Sequence, residues 1–461
     1  MSHRQLVILG VLGYSAIMTA PARADLFTHP SSWATYDPSA NGVGNDPRAY
    51  YGGCFDGRYV YFAPSNHNPS GGGEILRYDT TCDFSTASCW STFDVKNNSP
   101  PGAPGGYCEC VFDGQRYVYF GPQFTSNGTV IRYDTDDSAG DRFTNAAAWT
   151  TYDYGSDLNG CATQQTRLGF PCVDPAGYMG LVIADGYIYF APYTNQSGYN
   201  AEVLRYNTQG LFSDPASWQS FTPQNAAGAY NGAAYDGKYV YFVPSLLANP
   251  KVLRYDTGGN FNTAGSWEQC VPPGATQYCG AVFDARYVYF IPVKNGAVLR
   301  FDTQYSGSFC DNPGGWSVFN VTGAPLNALG GYLYGVIQAD YIYFAPNWSN
   351  GSYHGEVLRY RIAGGFRDPS SWDKYDYGNS TDCAADPNCS DPDGFFGAIS
   401  DGRYVYFAPM LHDSSNFSGE VLRYDMANPI PAVSQWGLVA MTLLVLTAGT
   451  LVYARRRAIH A

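Results

Sequence analysis

The sequence predicts an all-β protein, a seven-bladed β-propeller with four antiparallel strands in each blade. Three elements recur seven times along the 461 residues: an aromatic strand ending in proline, a strand similar to Leu-Arg-Tyr-Asp, and a single tryptophan. A repeat of this size cannot bury both of its faces alone, so we expect the repeats to stack around a ring. The aromatic strands are predicted at Tyr59–Pro64, Tyr117–Pro122, Tyr187–Pro192, Tyr239–Pro244, Tyr287–Pro292, Tyr341–Pro346 and Tyr404–Pro409. The repeated tryptophans are Trp33, Trp90, Trp149, Trp218, Trp267, Trp316 and Trp372.

Residues 231–267 show the order of strands within one repeat. A first strand of small residues leads into the turn Asp236-Gly237-Lys238, where glycine can adopt a positive φ. The aromatic second strand ends at Pro244, which has no N–H group to donate to a sheet. A third strand follows at residues 252–256, and the fourth begins at Trp267. Together these four strands predict one blade.

The connection from the third strand to the fourth has its own signature. A phenylalanine precedes the repeated tryptophan by six residues, or by seven in the pair Phe309 and Trp316. Asp214-Pro215 and Asp368-Pro369 fit a helix N-cap followed by proline at the first helical position. We therefore expect each Phe and Trp pair to clamp a one-turn helix onto its blade.

The phase of the repeat predicts how the ring closes. The chain begins with a fourth-strand signature at residues 27–37 and ends its last repeat with a third strand at residues 420–425. The N-terminal strand is therefore predicted to join the last blade. Closure of this kind covers both open sheet edges.

The order of an Asp-Gly turn, an aromatic strand, a Tyr-Asp strand and a tryptophan resembles kelch repeats. The resemblance spans the whole repeat region and implies the propeller fold. It implies no functional residues, because Ala63-Pro64 stands where kelch repeats carry two glycines. The gap from Tyr78 to Trp90 is also longer than in kelch repeats. We therefore describe the repeats as kelch-like.

Residues 1–24 have the pattern of a secretory signal peptide. Arg4 precedes an apolar stretch, and Ala22-Arg23-Ala24 is a small-x-small cleavage site. The alternative is an uncleaved anchor. The propeller is then expected to occupy residues 25–429, outside the cytoplasm.

The C-terminal residues 430–461 contain an apolar run from Trp436 to Tyr453 followed by Arg455-Arg456-Arg457. The run is about long enough to cross a bilayer as a helix. The arginines predict a cytoplasmic C-terminus by the positive-inside rule. The expected location is thus the cell envelope or outer surface, with one C-terminal span before any processing.

A short motif precedes this run. Its residues Ile430, Pro431, Ser434 and Trp436 make the tail similar to the bacterial IPTL-type sorting tail, with Ala432 and Val433 where that tail prefers Thr and Leu. The resemblance implies recognition by an exosortase-like membrane transpeptidase. The alternative is a plain membrane anchor.

Twelve cysteines, an even number, fit a disulfide-bonded exported protein. Close spacing predicts the pairs Cys82–Cys89, Cys161–Cys172, Cys270–Cys279 and Cys383–Cys389. No pairing is predicted for Cys54, Cys108, Cys110 and Cys310. Zinc binding at Cys108-Glu109-Cys110 is the alternative, but the two cysteines are closer than in zinc motifs and few histidines are available. No metal site is predicted.

Charge limits the classes of partner. Loss of both ends leaves 21 Lys and Arg against 39 Asp and Glu, a net charge of −18. This balance argues against nucleic acids and anionic membrane surfaces as partners.

Residues 134–137 and 386–391 weakly resemble calcium loops, but they lack the glycine and the distal glutamate of the full pattern. Surface turns are the alternative. No other cofactor is indicated.

The connections from second to third strands, and from fourth strands to the next blade, vary in length and emerge on the same side of the ring. We call this side the loop-rich face, and long loops on a rigid scaffold are where binding residues concentrate. It is expected to point away from the membrane, because the tail leaves from the opposite face.

Near the channel mouth, each first strand is predicted to begin with an aromatic residue: Tyr50, Tyr107, Tyr178, Tyr230, Tyr278, Tyr334 and Phe395. These rings either stack on sugars or other ligands, or pack between the blades.

Glycine follows this aromatic residue in most blades, whereas the second blade has Glu109. Its carboxylate either binds a cation or substrate, or is solvated by water in the channel. The Arg-x-Asp pairs of the third strands, such as Arg77 and Asp79, are expected to form inter-strand charge ladders.

The sequence contains no nucleophile elbow, phosphate-binding loop or zinc motif that would indicate catalysis. The leading hypothesis is a non-enzymatic envelope propeller that binds a glycan or a surface protein through its loop-rich face. The alternatives are a polysaccharide-active hydrolase or lyase with loop carboxylates, and a purely structural surface protein.

Overall fold

The computed structural model describes residues 26–66, 72–98, 103–123, 128–138, 140–154, 177–195, 198–226, 228–245, 250–274, 276–387, 389–412 and 416–426. One compact unit runs from Phe27 to Ala427. The predicted signal peptide and C-terminal tail lie outside the described residues, as does the predicted pair Cys161–Cys172. In the described part of the chain, no helix is both long enough and apolar enough to cross a membrane.

Seven four-stranded antiparallel sheets form the predicted seven blades. Blade 7 includes the N-terminal strand β1 (Trp33–Tyr36). Blade 1 contains β2 (Tyr50–Phe55), β3 (Tyr59–Pro64), β4 (Glu74–Asp79) and β5 (Trp90–Asp94). Blade 2 contains β6 (Tyr107–Phe112), β7 (Tyr117–Pro122), β8 (Thr129–Asp134) and β9 (Trp149–Asp153). Blade 3 contains β10 (Tyr178–Ala184), β11 (Tyr187–Pro192), β14 (Val203–Asn207) and β15 (Trp218–Phe221), with a separate hairpin of β12 (Thr194–Asn195) and β13 (Gly198–Tyr199).

The remaining blades repeat this order. Blade 4 contains β16 (Tyr230–Tyr235), β17 (Tyr239–Pro244), β18 (Val252–Asp256) and β19 (Trp267–Cys270). Blade 5 contains β20 (Tyr278–Phe283), β21 (Tyr287–Pro292), β22 (Ala297–Asp302) and β23 (Trp316–Asn320). Blade 6 contains β24 (Tyr332–Gln338), β25 (Tyr341–Pro346), β28 (Glu356–Arg361) and β29 (Trp372–Asp376), with a hairpin of β26 (Trp348–Ser349) and β27 (Ser352–Tyr353). Blade 7 adds β30 (Phe395–Ser400), β31 (Tyr404–Pro409) and β32 (Val421–Asp425). All seven aromatic second strands have their predicted bounds.

The N-terminal strand closes the ring, as the phase of the repeat predicted. Strand β1 pairs antiparallel with β32, with Trp33 opposite Tyr424 and Ala34 opposite Arg423. The Trp33 and Tyr424 rings lie 4.7 Å apart, and Trp33 is almost fully buried. The last blade therefore depends on residues from both ends of the propeller.

The Phe and Trp pairs form the predicted clamps. In all seven blades the indole N–H of the repeated tryptophan donates to the carbonyl of the paired phenylalanine, at 2.7–3.0 Å. A 3-10 turn lies between the two residues in six blades, at Pro30–Ser32, Ala87–Cys89, Ala146–Ala148, Pro215–Ser217, Ala264–Ser266 and Pro369–Ser371. Asp214 and Asp368 accept the predicted N-cap hydrogen bonds. The short α-helix α1 (Thr381–Ala385) lies in the connection to blade 7.

The aspartates of the Arg-x-Asp pairs form inter-strand ion pairs as predicted, but most of the repeated arginines do not. Each guanidinium instead lies between the tyrosine that begins the second strand of its own blade and the clamp phenylalanine of the next blade. The centroid distances are 3.9–4.5 Å. In four blades the aspartate pairs with an arginine of the turn before the second strand: Arg58–Asp79, Arg116–Asp134, Arg286–Asp302 and Arg403–Asp425. Sequence spacing gave the face of the strand, but it did not give the partner across the blade boundary.

The disulfides Cys82–Cys89 and Cys383–Cys389 are present as predicted. A third, Cys54–Cys110, joins the first strands of blades 1 and 2. The predicted pair Cys270–Cys279 is wrong, because both residues are separate buried thiols. Cys270 ends an outermost strand and Cys279 lies on an innermost strand of the next blade, so a blade width separates them.

Candidate ligand-binding site

The aromatic residues that begin the first strands pack inside the ring. Their side chains have no exposed surface, and each lies 5.4–6.2 Å from a phenylalanine of its own second strand. The members of this set are Tyr50, Tyr107, Tyr178, Tyr230, Tyr278, Tyr332 and Phe395. Tyr332 takes the place that the sequence analysis gave to Tyr334, because β24 begins two residues earlier than expected. These rings are therefore part of the core and are not available to stack on a ligand.

Two residues further along each first strand, the chain reaches the axis of the ring. Five blades have glycine there: Gly52, Gly180, Gly232, Gly280 and Gly397. A Cβ on Gly180 would lie only 2.5 Å from the Cα of Gly232, so neighbouring strands approach too closely for a side chain. The other two blades have Glu109 and Tyr334, which fill the mouth of the channel. The space left is about 20 Å³, enough for roughly one water molecule.

Glu109 is held in this plug by the neighbouring blade. Its Oε2 accepts a hydrogen bond from the backbone N–H of Leu181 at 3.0 Å. The Tyr334 hydroxyl lies 2.9 Å from Oδ1 of Asn231 and 3.0 Å from the carbonyl oxygen of Met179. Burial raises the pKa of Glu109 to about 7, although part of the side chain faces the small cavity. The channel mouth is a plug that is too small for a sugar ring.

The metal alternative at this position also fails on geometry. Cys110 is bonded to Cys54, so Cys108-Glu109-Cys110 cannot supply two thiolates. Burial raises the pKa of the Cys108 thiol above its usual range. Across the described ranges, no group of three or more His, Cys, Asp or Glu side chains is arranged to hold a metal ion. In the weak calcium pattern at 134–137, Asp134 pairs with Arg116 and Arg142.

A larger site lies on the loop-rich face between blades 5 and 6, where a groove encloses about 620 Å³. We call it the blade 5–6 groove. One wall is the second-to-third connection of blade 5, the floor is the connection into blade 6, and the other wall is the β26–β27 hairpin. Its lining includes Lys294, Asn295, Asn320, Thr322, Asn327, Leu329, Trp348, Ser349 and Asn350.

The hairpin wall follows from local sequence. Asn350 and Gly351 both have positive φ, +52° and +96°, which is the conformation of a tight two-residue type I′ turn. The turn presents Trp348 in the groove, where 38% of its surface is exposed. The edge of the ring is supported by Tyr353, with centroids 4.7 Å apart. Gly331, at φ +72°, is required because a Cβ there would meet the Trp348 carbonyl oxygen at 2.0 Å.

A buried carboxylate fixes the floor of the groove. Glu356, at the start of β28, accepts a hydrogen bond from the N–H of Leu329 at 2.7 Å and an ion pair from Lys374 at 2.9 Å. The Lys374 ammonium also donates to the carbonyl of Asn327 at 2.7 Å. The Ser349 hydroxyl donates to the Leu329 carbonyl at 2.6 Å and joins the hairpin to the floor. The groove is therefore held in shape without a ligand.

The groove lining combines polar side chains with one exposed aromatic ring. Amide and hydroxyl groups surround an exposed indole, and Leu329 adds an apolar surface that is 38% exposed. No Asp or Glu lines the groove, and its one charged lining residue is Lys294. All of residues 276–387 are described, so the walls and floor are complete. This arrangement can bind a polar ligand with an apolar face.

Neither Trp348 nor Lys294 was predicted from the sequence as a site residue. Trp348 is one of two tryptophans outside the seven repeat positions, the other being Trp436. Asn350-Gly351, flanked by Trp-Ser and Ser-Tyr, is a strong hairpin signal. Those two features point to an aromatic residue on an exposed turn, but they do not indicate the distant segments that complete the groove.

An acidic cluster lies on the same face between blades 6 and 7. Burial raises the pKa of Asp393 to about 7, and the nearby carboxylates of Asp391, Asp376 and Glu420 add to the shift. Glu420 accepts hydrogen bonds from the backbone N–H and the hydroxyl of Ser390. Glu420 thus plays the same loop-fixing part as Glu356 in blade 6.

Comparisons with known proteins show no match to a family model or to a curated protein. Among solved structures, the hydrazine synthase of Kuenenia stuttgartiensis is similar with a TM-score of 0.49 and 11% identity, over 79% of this chain and 94% of that chain. The computationally designed protein Ika8 gives 0.43 and 9%, over 83% and 98%. PorZ, a bacterial surface component of the type-IX secretion system of Porphyromonas gingivalis, gives 0.45 and 9%, over 84% and 39%. Likeness at this level indicates neither ligand nor activity, so the propeller assignment rests on the sheet topology of this chain.

Proposed function

We propose that this protein is an exported propeller of the cell envelope that binds carbohydrate through the blade 5–6 groove without catalysing a reaction. The observation that carries the proposal is the exposed indole of Trp348 among amide and hydroxyl side chains. Sugar rings present apolar C–H faces to aromatic rings and hydroxyl groups to amides. The absence of carboxylates from the groove lining fits binding without turnover.

The dimensions favour a short stretch of glycan over a protein partner. A volume of about 620 Å³ lies within the range of roughly 300–1,000 Å³ for small-ligand sites. A stable protein interface buries about 800 Å² on each partner, which is a broad surface and not a groove of small-ligand size. The hydrogen bonds from Ser349 and Lys374 hold the walls in place beforehand, which lowers the entropy lost on binding.

Export is supported by the disulfides, which persist in oxidising compartments. The proposal includes a signal peptide at residues 1–24 and a tail at 430–461 that anchors the protein or passes it to an exosortase-like enzyme. The kelch-like propeller would then stand outside the membrane with its loop-rich face outward. Its negative charge disfavours nucleic acid as a partner.

A polysaccharide-active enzyme is the second candidate, and one observation favours it. The raised pKa of Asp393 would keep a proton available for a general acid near pH 7, with Asp391 and Asp376 as neighbouring carboxylates. Incubation of the full-length protein with array-positive polysaccharides should yield no shorter products. Products that disappear in Asp393→Asn would establish the enzyme instead.

The binding proposal is tested by glycan-array screening followed by calorimetry on full-length wild type and Trp348→Ala. Loss of the stacking surface should weaken binding about tenfold to a hundredfold. The matched control is Tyr199→Ala, because Tyr199 is 52% exposed on the equivalent hairpin of blade 3. This control should leave affinity unchanged.

The proposal fails if glycans bind wild type and Trp348→Ala with equal affinity. A protein that binds nothing on a broad array would instead fit the third alternative, a structural surface protein.

A further inference from the structure

Lys294 is unusual in a domain with an excess of acidic groups. It lies on the blade 5 wall of the blade 5–6 groove and is exposed. Two of the other lysines form ion pairs, Lys238 with Asp256 at 3.8 Å and Lys374 with Glu356 at 2.9 Å. Within the described ranges, Lys294 has no ion pair.

The groove around Lys294 excludes carboxylates from its lining although the chain has 39 Asp and Glu. The acidic group next to the floor, Glu356, is turned under it, 9% exposed, and is neutralised by Lys374. The groove lining is therefore locally cationic on a protein whose overall field repels anions. An uncompensated ammonium in a cleft is a ready partner for a carboxylate.

Trp348 and Lys294 come from opposite walls, on blades 6 and 5 respectively. A sugar ring lying against the indole would share the groove with the amides of the floor and the ammonium of the other wall. A neutral sugar leaves that ammonium without a counter-charge. A carboxylated sugar satisfies both walls at once.

We propose that the groove selects an anionic glycan, one that contains uronic acid residues. Trp348 contacts the ring face, and the Lys294 ammonium pairs with the carboxylate at C6. The inference rests on the proposed carbohydrate binding and adds the class of sugar to it.

The test uses oligogalacturonate and its methyl ester, two probes with the same sugar chain, in which the carboxyl group is either charged or a neutral ester. Calorimetry with the full-length protein, in buffer free of divalent cations, should show about tenfold tighter binding of the acid than of the ester. The variant Lys294→Gln should lose that preference, with the affinity for the acid falling to that for the ester. Lys294 is exposed, so Lys294→Gln should melt at the wild-type temperature.

The control is Lys251→Gln, because Lys251 lies on the equivalent connection of blade 4 and outside the groove lining. It should retain the preference for the acid, which excludes a general effect of one lost charge. Equal binding of acid and ester, or a preference that survives Lys294→Gln, would overturn the inference.

The failure of this inference is distinguishable from failure of the proposed function. If neutral glycans alone bind, and do so through Trp348, the carbohydrate site stands and the anionic class is wrong. If neither probe nor any array glycan binds, both are wrong.

Discussion

The blade 5–6 groove and the outer rim both use a cation and an aromatic ring, but in opposite ways. The rim consists of the seven repeated arginines of the third strands and the aromatic rings on either side of them. On the rim, each repeated arginine lies between two aromatic rings of adjacent blades, at 3.9–4.5 Å, and stacks on both. In the groove, the indole of Trp348 and the ammonium of Lys294 lie on separate walls and remain exposed. The cation–aromatic pairs that occur in every blade hold the ring together. Trp348 and Lys294 occur once, lie on separate walls, and are available to a ligand.

The channel mouth gives the strongest test of this distinction, because Glu109 also occurs once yet is buried in a plug. Its raised pKa means that the folded state favours the neutral acid, so its stabilising contribution is present below pH 4.5 and is lost as pH rises through about 7. Glu109→Gln should therefore increase the free energy of unfolding at pH 8 by up to about 3 kcal/mol and change little at pH 4. Urea denaturation at both pH values measures the difference.

Glycan affinity of Glu109→Gln at pH 7 should equal that of wild type. A variant that loses affinity would show that Glu109 does more than plug the channel. A variant whose stability has the same pH dependence as wild type would contradict the raised pKa of Glu109.

The rim predicts a smaller change in stability, this time a loss, with no change in binding. Arg359 is 3% exposed, lies 4.1 Å from the ring of Phe27 and 4.3 Å from that of Tyr341, and pairs with Asp373 at 2.9 Å. Its replacement in Arg359→Gln should lower the free energy of unfolding by about 2 kcal/mol, because the stacked and paired charge is lost. Calorimetry should detect unchanged glycan affinity.

Arg403→Gln is the matched control, since its side chain is 56% exposed, pairs with Asp425, and lies over one ring, that of Tyr404 at 4.6 Å, instead of between two. An exposed pair of this kind contributes under about 1 kcal/mol. Equal destabilisation by the two variants would contradict the role given to the aromatic sandwich.

The fold was predictable because its determinants are local and repeated. Prolines such as Pro244 end the second strands, and the Phe and Trp spacing places the clamps. The closure by β1 followed from the phase of the repeat alone. Partners across blade boundaries were not predictable in the same way: the stack of Arg77 on Phe143 and the Cys54–Cys110 bridge join residues whose proximity no spacing reveals.

The candidate site was less predictable than the fold for a physical reason. Its walls and floor come from three segments, near residues 294, 327 and 348, that only the ring brings together. The aromatic residues predicted as ligand-binding candidates, such as Tyr50 and Tyr278, are buried between the blades of the ring. Within a propeller, a residue repeated in every blade is needed by every blade, so the ligand site is found among the exceptions.

The most direct test of the central claim is quenching of tryptophan fluorescence by acrylamide. The seven repeated tryptophans are at most 8% exposed, whereas Trp348 is 38% exposed, so the difference between wild type and Trp348→Phe isolates the signal of Trp348. We predict that this signal is readily quenched in the free protein and protected by a saturating glycan from the array. A glycan that binds while leaving Trp348 as quenchable as before would contradict the assignment of the groove.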